Sequence, residues 1–271
     1  MSGRGTLRCA RVEAAKLIAQ RQSAIVLALC AIAPFAFVAV LRTQAGVPSD
    51  TLFGRLVHES GFATPLVVLG FAGLWGLPIV AALAGGDMFA SEDRHRTWPA
   101  VLTRSRSRAE VFDAKVVVAF GFAALALLVL AAAAIASGVL LIGTQPLIDL
   151  SGVLLGPSAA LARITVAWAS VLPPSLAITA AAILVSVSTR SSVAGVGVPV
   201  VAAFVLEIVA FADGPELLRR LLPTTAFEAW HGMLTHPAFY GPVVHGTIVS
   251  ALYGGVALLI ARRMFLLRDE A

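Results

Sequence analysis

The sequence predicts an all-α protein that crosses a membrane six times, and three observations carry that fold class. Hydrophobic residues fill 59% of the 271 positions and charged residues only 13%, with a mean hydropathy of +0.91; a water-soluble domain keeps roughly a quarter of its residues charged. Long uncharged runs recur at residues 22–41, 60–86, 116–148, 164–189, 191–206 and 246–261. The charges are parcelled between those runs, most densely in segment 89–115, FASEDRHRTWPAVLTRSRSRAEVFDAK.

The formal net charge of +5 does not point to nucleic acid, because the basic residues are divided among separate segments and form no single basic stripe. Their partner is the anionic face of a membrane lipid leaflet. Arginine outnumbers lysine eighteen to two, and Ala, Val, Leu and Gly dominate, a composition typical of a GC-rich bacterial genome. Cys9 and Cys30 fall on a basic N-terminal segment and inside an apolar run, so they form neither a disulfide framework nor a metal motif.

In residues 1–21, Leu7, Ala10, Ala14 and Leu17 or Ile18 make an apolar stripe while Arg8, Arg11 and Lys16 take the wetter face, the pattern of an amphipathic helix lying in the interface. The small-x-small triplet Ala31-Ile32-Ala33 offers a signal-peptide reading, but the uncharged run around it exceeds the roughly 7–15 residues of a signal core. It is read as the first span, 22–41. A span needs about 20 residues to cross about 30 Å of hydrocarbon, which places the others at 63–84, 116–142, 164–187, 193–211 and 243–262. The fifth reaches its length only by carrying Glu207. Run 116–148 is too short for two crossings, so it holds one long tilted span and part of a loop.

Fifteen of the twenty Lys and Arg residues lie in segments that share one side if the N-terminus is cytoplasmic; Arg42, Arg55, Arg163, Arg219 and Arg220 lie on the other. The positive-inside rule therefore puts both termini and segment 89–115 in the cytoplasm.

That segment is too polar for hydrocarbon, where each charge costs roughly 2.5–3.5 kcal/mol on insertion scales, and its signals are those of short helices. Ser91 reads as an N-cap with Glu92 and Asp93 in the first turn. Pro99 fits the first turn of a second helix capped by Thr97. Ser107 and Glu110 have the S-x-x-E form of a capping box directly before an apolar run. Lys115 follows at the membrane entrance.

These residues resemble the type-2 permeases of ABC transporters, whose loop after the second span carries a Glu, a Gly-Thr, a hydrophobic stretch, Arg-Pro-x-Ser-Arg and, seven residues later, a Lys. Glu92, Thr97, Val101, Leu102, Arg104, Ser107, Arg108 and Lys115 fall at those places. The chain departs where Arg96 replaces the usual Gly, Ser105 the usual Pro, and Ala114 the Gly that often precedes the Lys. The resemblance implies a coupling segment, 89–115, in which Glu92, Thr97, Val101, Leu102, Arg104, Arg108 and Lys115 meet a separate ATPase, with Glu92 making the contact. Glu13 followed by Lys16 resembles the family's interfacial helix, and FLLRD at 265–269 its aromatic-x-x-basic-Asp ending. Ser188-Thr189-Arg190-Ser191-Ser192, between spans four and five, reads either as a second cytoplasmic contact or as an ordinary interfacial turn.

In the outer segment, 213–244, Asp213-Gly214-Pro215-Glu216 turns the chain and Thr225 with Glu228 has the form of another capping box. The helix it would start places Phe227, Trp230 and Leu234 on one face. This resembles the family's re-entrant hairpin before the last span, and it also fits an amphipathic helix on the outer leaflet. Glu207, Phe227 and Trp230 are the candidate substrate-pathway residues. Glu207 is the one acid inside a predicted span, and it is read either as facing the pathway or as snorkelling to the interface.

Neither lysine follows a glycine, so there is no G-x-x-x-x-G-K-[ST] phosphate loop; H-E-x-x-H and G-x-S-x-G are absent too. His231, His236 and His245 are read as polar anchors and not as zinc ligands. The chain is therefore expected to be no enzyme by itself and to hold no cofactor, with ATP and Mg²⁺ on the partner. As the resemblance implies, the expected function is the permease of an ATP-driven ABC exporter in the bacterial cytoplasmic membrane. It would move a drug, antibiotic or lipid, paired with a second permease, identical or not, and two ATPase copies. A membrane enzyme built on Glu207 and the outer histidines is the rival reading, and a structural or regulatory membrane protein is the other.

Overall fold

The computed structural model describes residues 3–43, 52–95, 107–211 and 220–267. Within them lie α1 (Gly3–Ala19), α2 (Arg21–Thr43), α3 (Thr64–Gly86), α4 (Ala90–His95), α5 (Arg108–Leu141), α6 (Pro157–Ser170), α7 (Leu172–Thr189), α8 (Ser192–Phe211) and α9 (Gly241–Leu266). A two-stranded antiparallel hairpin pairs β1 (Leu147–Ile148) with β2 (Leu154–Leu155). Two 3₁₀ turns, Pro223–Phe227 and Ala229–Leu234, precede α9. Taking α6 and α7 as one crossing, six helices are long and apolar enough to span a membrane, so the all-α polytopic architecture expected from the sequence is the one observed.

Proline explains most of the breaks. Pro157 opens α6, and Pro173-Pro174 in the first turn of α7 force the kink at Val171, whose φ and ψ are −90° and 0°, because neither ring nitrogen can donate to the preceding turn. Arg190 ends α7 in the left-handed conformation at φ 55°, a common helix stop. α3 carries one π turn at Ala72–Gly76. The capping box read at Ser107 is present in full: Ser107 Oγ accepts from the Glu110 amide and the Glu110 carboxylate accepts from the Ser107 amide.

Two local expectations are corrected. Ser91 is not an N-cap, because the chain is already turning at Asp87 and the Ser91 amide donates to the Asp87 carbonyl inside the turn that leads into α4. Thr225 and Glu228 form no capping box either. Pro223 starts a tighter 3₁₀ turn, Thr225 Oγ1 donates back to the Leu222 carbonyl, and Glu228 caps that turn's C-terminus. The helix expected to follow is a second 3₁₀ turn. The helix expected after Thr97 lies outside the described residues.

In the bundle, α9 lies along α7, α7 packs on α3, α8 fits against both α3 and α7, and α5 packs on α1 and α2. Glycine permits the tightest contacts. A Cβ on Gly86 would come within 2.6 Å of the Gly195 carbonyl carbon, and one on Gly138 would meet the Thr64 Cβ at 3.0 Å and the Gly61 carbonyl more closely still. Such small-residue seams let membrane helices gain dispersion contact where lipid tails supply no hydrophobic drive. Large apolar side chains such as Leu128, Val201 and Leu259 point outward, as lipid-facing residues do.

Candidate functional site

The bundle has an α4 end and a hairpin end, and the charged residues singled out in the sequence gather at the first. Lys115, about two turns into α5, is only 1% exposed. Its Nζ donates to Glu13 Oε2 at 2.7 Å, to the Met88 carbonyl at 3.0 Å and to Glu92 Oε1 at 3.2 Å. Lys16 Nζ, half-exposed, donates to Glu13 Oε1 at 2.9 Å and Glu92 Oε1 at 2.8 Å. Among the described residues, two acids and two bases thus form a neutral ionic knot joining α1, α4 and α5. Each carboxylate bridges both ammonium groups, which is the arrangement a buried charge requires to offset its desolvation.

The α1 stripe supports this geometry. Ala10, Ala14 and Leu17 pack on the cluster formed by Phe89, Phe112 and Phe265, and Glu13 lies on that inward side while Leu7 and Ile18 are exposed. The three phenylalanine rings meet with centroids 5.3–5.9 Å apart. Lys115 Nζ also stands 5.8 Å from the centre of the Phe89 ring, within cation–π range.

Other residues fix α4 to the remaining helices. The Ala90 amide donates to Ser186 Oγ of α7 at 3.1 Å. Asp87 Oδ1 accepts from Ser192 Oγ of α8 and, at 3.5 Å, from Arg94. Asp87, Ser186 and Ser192 received no individual role from sequence reasoning. Their only local signal was that Gly85-Gly86-Asp87 ends one apolar run as Ser191-Ser192 begins another, and the pairing across about a hundred positions is invisible in one dimension.

Of the expected coupling residues, Glu92 and Lys115 come together, with Glu92 turned inward at 7% exposure. Arg108 opens α5 beside the capping box, half-buried. Thr97, Val101, Leu102 and Arg104 lie outside the described residues.

Burial of Lys16 opposes its charge, but the hydrogen bonds to Glu92 and Glu13 outweigh that and hold its pKa above the ordinary 10.5. A raised base stabilises the fold below its unfolded pKa and loses that contribution as pH rises through the folded one. We therefore expect the stability difference between the wild type and Lys16→Met, read by unfolding in detergent, to stay flat from pH 7 to 10. It should shrink only at pH values above 10.5.

At the hairpin end, Arg163 NH1 bridges Asp149 Oδ2 at 3.3 Å and the Thr235 carbonyl at 3.2 Å, the Leu150 amide donates to the Leu234 carbonyl at 2.8 Å, and the His236 amide to Ser151 Oγ at 2.8 Å. Phe227 and Trp230 are both 2% exposed; Trp230 stacks on Phe53 with centroids 6.4 Å apart, and Phe227 packs against Gly73 in the π turn of α3. Glu207 is half-buried beside the Thr224 hydroxyl, in the field of Glu228. Burial lowers the pKa of His231 against the pull of Glu228, and His245 pairs with the Arg220 carbonyl at 2.8 Å. Among the described residues no three His, Cys, Asp or Glu side chains converge as a metal would require.

At the α4 end a short helix and the turn leading into it are held to α1, α5, α7 and α8 by ions, hydroxyls and close glycines. A search of curated proteins finds no match. The family model described as "ABC-2 family transporter protein" matches residues 11–207, from the middle of α1 through the knot to Glu207. With six spans and that match, the chain is a multi-pass membrane permease belonging to the ABC-2 transporter family.

Proposed function

We propose that this permease is the membrane half of an ATP-driven exporter of an amphipathic or hydrophobic compound such as a drug, an antibiotic or a lipid. It works in a bacterial cytoplasmic membrane, both termini cytoplasmic, with a second permease and two copies of a separate ATPase that carry ATP and Mg²⁺. Efflux of an antibiotic would make it a resistance determinant. The observation that supports this reading is the bracketing of α4. A push delivered to segment 89–115 reaches α5 through Glu92 and Lys115, α7 through Ser186, and α8 through Asp87 and Ser192, so one force moves several spans together. Glu92 serves this role from inside, as the anchor that ties α4 to α1 and α5; contact with the ATPase is proposed for Thr97, Val101, Leu102, Arg104 and Arg108.

Copurification tests the reading. A subunit bearing a phosphate loop should bind the permease, and its ATP hydrolysis should rise severalfold on co-reconstitution; recovery of the permease with no nucleotide-binding partner would contradict it. Topology gives an independent check. In a background without Cys9 and Cys30, single cysteines at Ser2 or Ser105 should react only from the cytoplasm, and those at Ser49 or Thr235 from outside. External labelling at Ser105 would place the coupling segment on the wrong side for any ATPase.

A further inference from the structure

Between α7, α8 and α9 opens a cleft of about 480 Å³, inside the roughly 300–1,000 Å³ range of sites that hold drug-sized molecules. Its walls are apolar: Ile178, Leu184, Pro199, Leu206, Val256 and Ile260 are typical. Pro223 and Thr224 close it toward the hairpin end. Along α8 the lining runs from Pro199 to Leu206, about 10 Å of helix.

The charged groups around the closed end are acidic. Thr224 is 3% exposed and lines the cleft, and its hydroxyl stands beside the Glu207 carboxyl as a single donor to it. Glu207 follows Leu206, one turn on from Ala203, and Glu228 adds a second negative field to it. Among the described residues neither acid makes an ion pair, and no basic side chain lines the cleft. His231, held toward its neutral form by burial, leaves that field uncancelled. One hydroxyl cannot fill the acceptor sites of a half-buried carboxyl that has no cation beside it, which is costly unless something brings further donors. An ammonium head carries three donors and the complementary charge; an anion would be repelled, and a neutral chain would leave the carboxyl without a counter-charge.

We propose that this cleft is a binding site for amphipathic amines, the apolar body lying between α7, α8 and α9 and the ammonium against Glu207 and Thr224. The assignment rests on the permease reading and names the substrate class for it. Phe227 and Trp230 act behind the site, packed into the core next to Thr224, and do not line it. A free lipophilic amine and the ammonium headgroup of a bilayer lipid share this chemistry.

Photolabelling of the purified permease tests it without ATP or any partner. In phosphatidylcholine nanodiscs, a dodecylamine carrying a diazirine in its chain should label peptides of α7, α8 and α9 at least about tenfold more than the matching dodecanol. Glu207→Gln should bring the amine down to the level of the alcohol and leave the alcohol unchanged. Ala202→Trp, at a lipid-facing cleft position, should reduce both. Equal labelling by amine and alcohol in the wild type, or an amine preference that survives Glu207→Gln, overturns the assignment. Given the preference, its loss in phosphatidylethanolamine-rich nanodiscs supports amine recognition with bilayer lipid as the occupant; its persistence supports a free amine. Failure of the preference leaves ATP-driven export standing. Failure of the ATPase to bind, with the labelling intact, removes export and leaves the site.

Discussion

Replacing Lys115 with methionine should unfold the α4 end of the permease at markedly milder conditions than the wild type. The substitution conserves much of the aliphatic stem and removes the ammonium, so among the described residues Glu13 and Glu92 keep Lys16 as their counter-charge. Breaking a buried ion pair from one side costs about 3–5 kcal/mol, and a site 1% exposed gives water little chance to soften that cost. A second substitution separates this electrostatic cause from simple repacking. Adding Glu13→Gln to Lys115→Met returns the group to one acid and one base, so the double variant should recover at least about 1 kcal/mol over the single one, a coupling typical of residues in one network. Unfolding in mixed micelles reads both values. A Lys115→Met protein as stable as the wild type, or a double variant less stable than the single, would show that the knot does not hold α4.

The contact of α3 with α8 should be as unforgiving. Gly195→Ala places a methyl group on the Gly86 carbonyl, where no flexible side chain can yield. Overpacking a tight seam costs roughly 1–3 kcal/mol, and rigid backbone on both sides puts this variant at the upper end. Gly197→Ala is its control on the same helix, because a Cβ there meets nothing within 4 Å. It should be neutral or more stable by up to about 1 kcal/mol, the difference in helix propensity. Since Gly86 leads directly into α4, Gly195→Ala should also depress coupled ATP hydrolysis in any protein that still assembles. Equal melting of the two variants would mean that the seam opens freely.

The sequence made some of this legible, and the boundary is physical. Hydropathy and charge spacing marked out six spans because a bilayer imposes a length that short-range composition can satisfy. The Ser107–Glu110 capping box was readable because all its partners lie within four residues. Ser91 and Thr225 failed by the same local logic: each carries a capping signature, but tertiary contacts at Asp87 and the ring of Pro223 had already set the backbone. Phe227 and Trp230 were recognised as a face, yet which partner covers that face is decided by Phe53 and Gly73, more than a hundred and fifty residues away. Glu92 and Lys115 were both singled out, but their union through Glu13 depends on α1 folding back on α5, which no spacing announces.

The neutral knot also bears on how the chain is made. Glu13 and Lys16 leave the ribosome long before Lys115, so two acids and one base wait at the membrane surface until the third span has been threaded. Only when α5 enters in the correct sense does Lys115 arrive beside them; inserted the other way round, the helix would carry it across the bilayer, about 30 Å off, and strand both carboxylates. Closure of the four charges therefore distinguishes a properly threaded chain from an inverted one before α6 to α9 have been added.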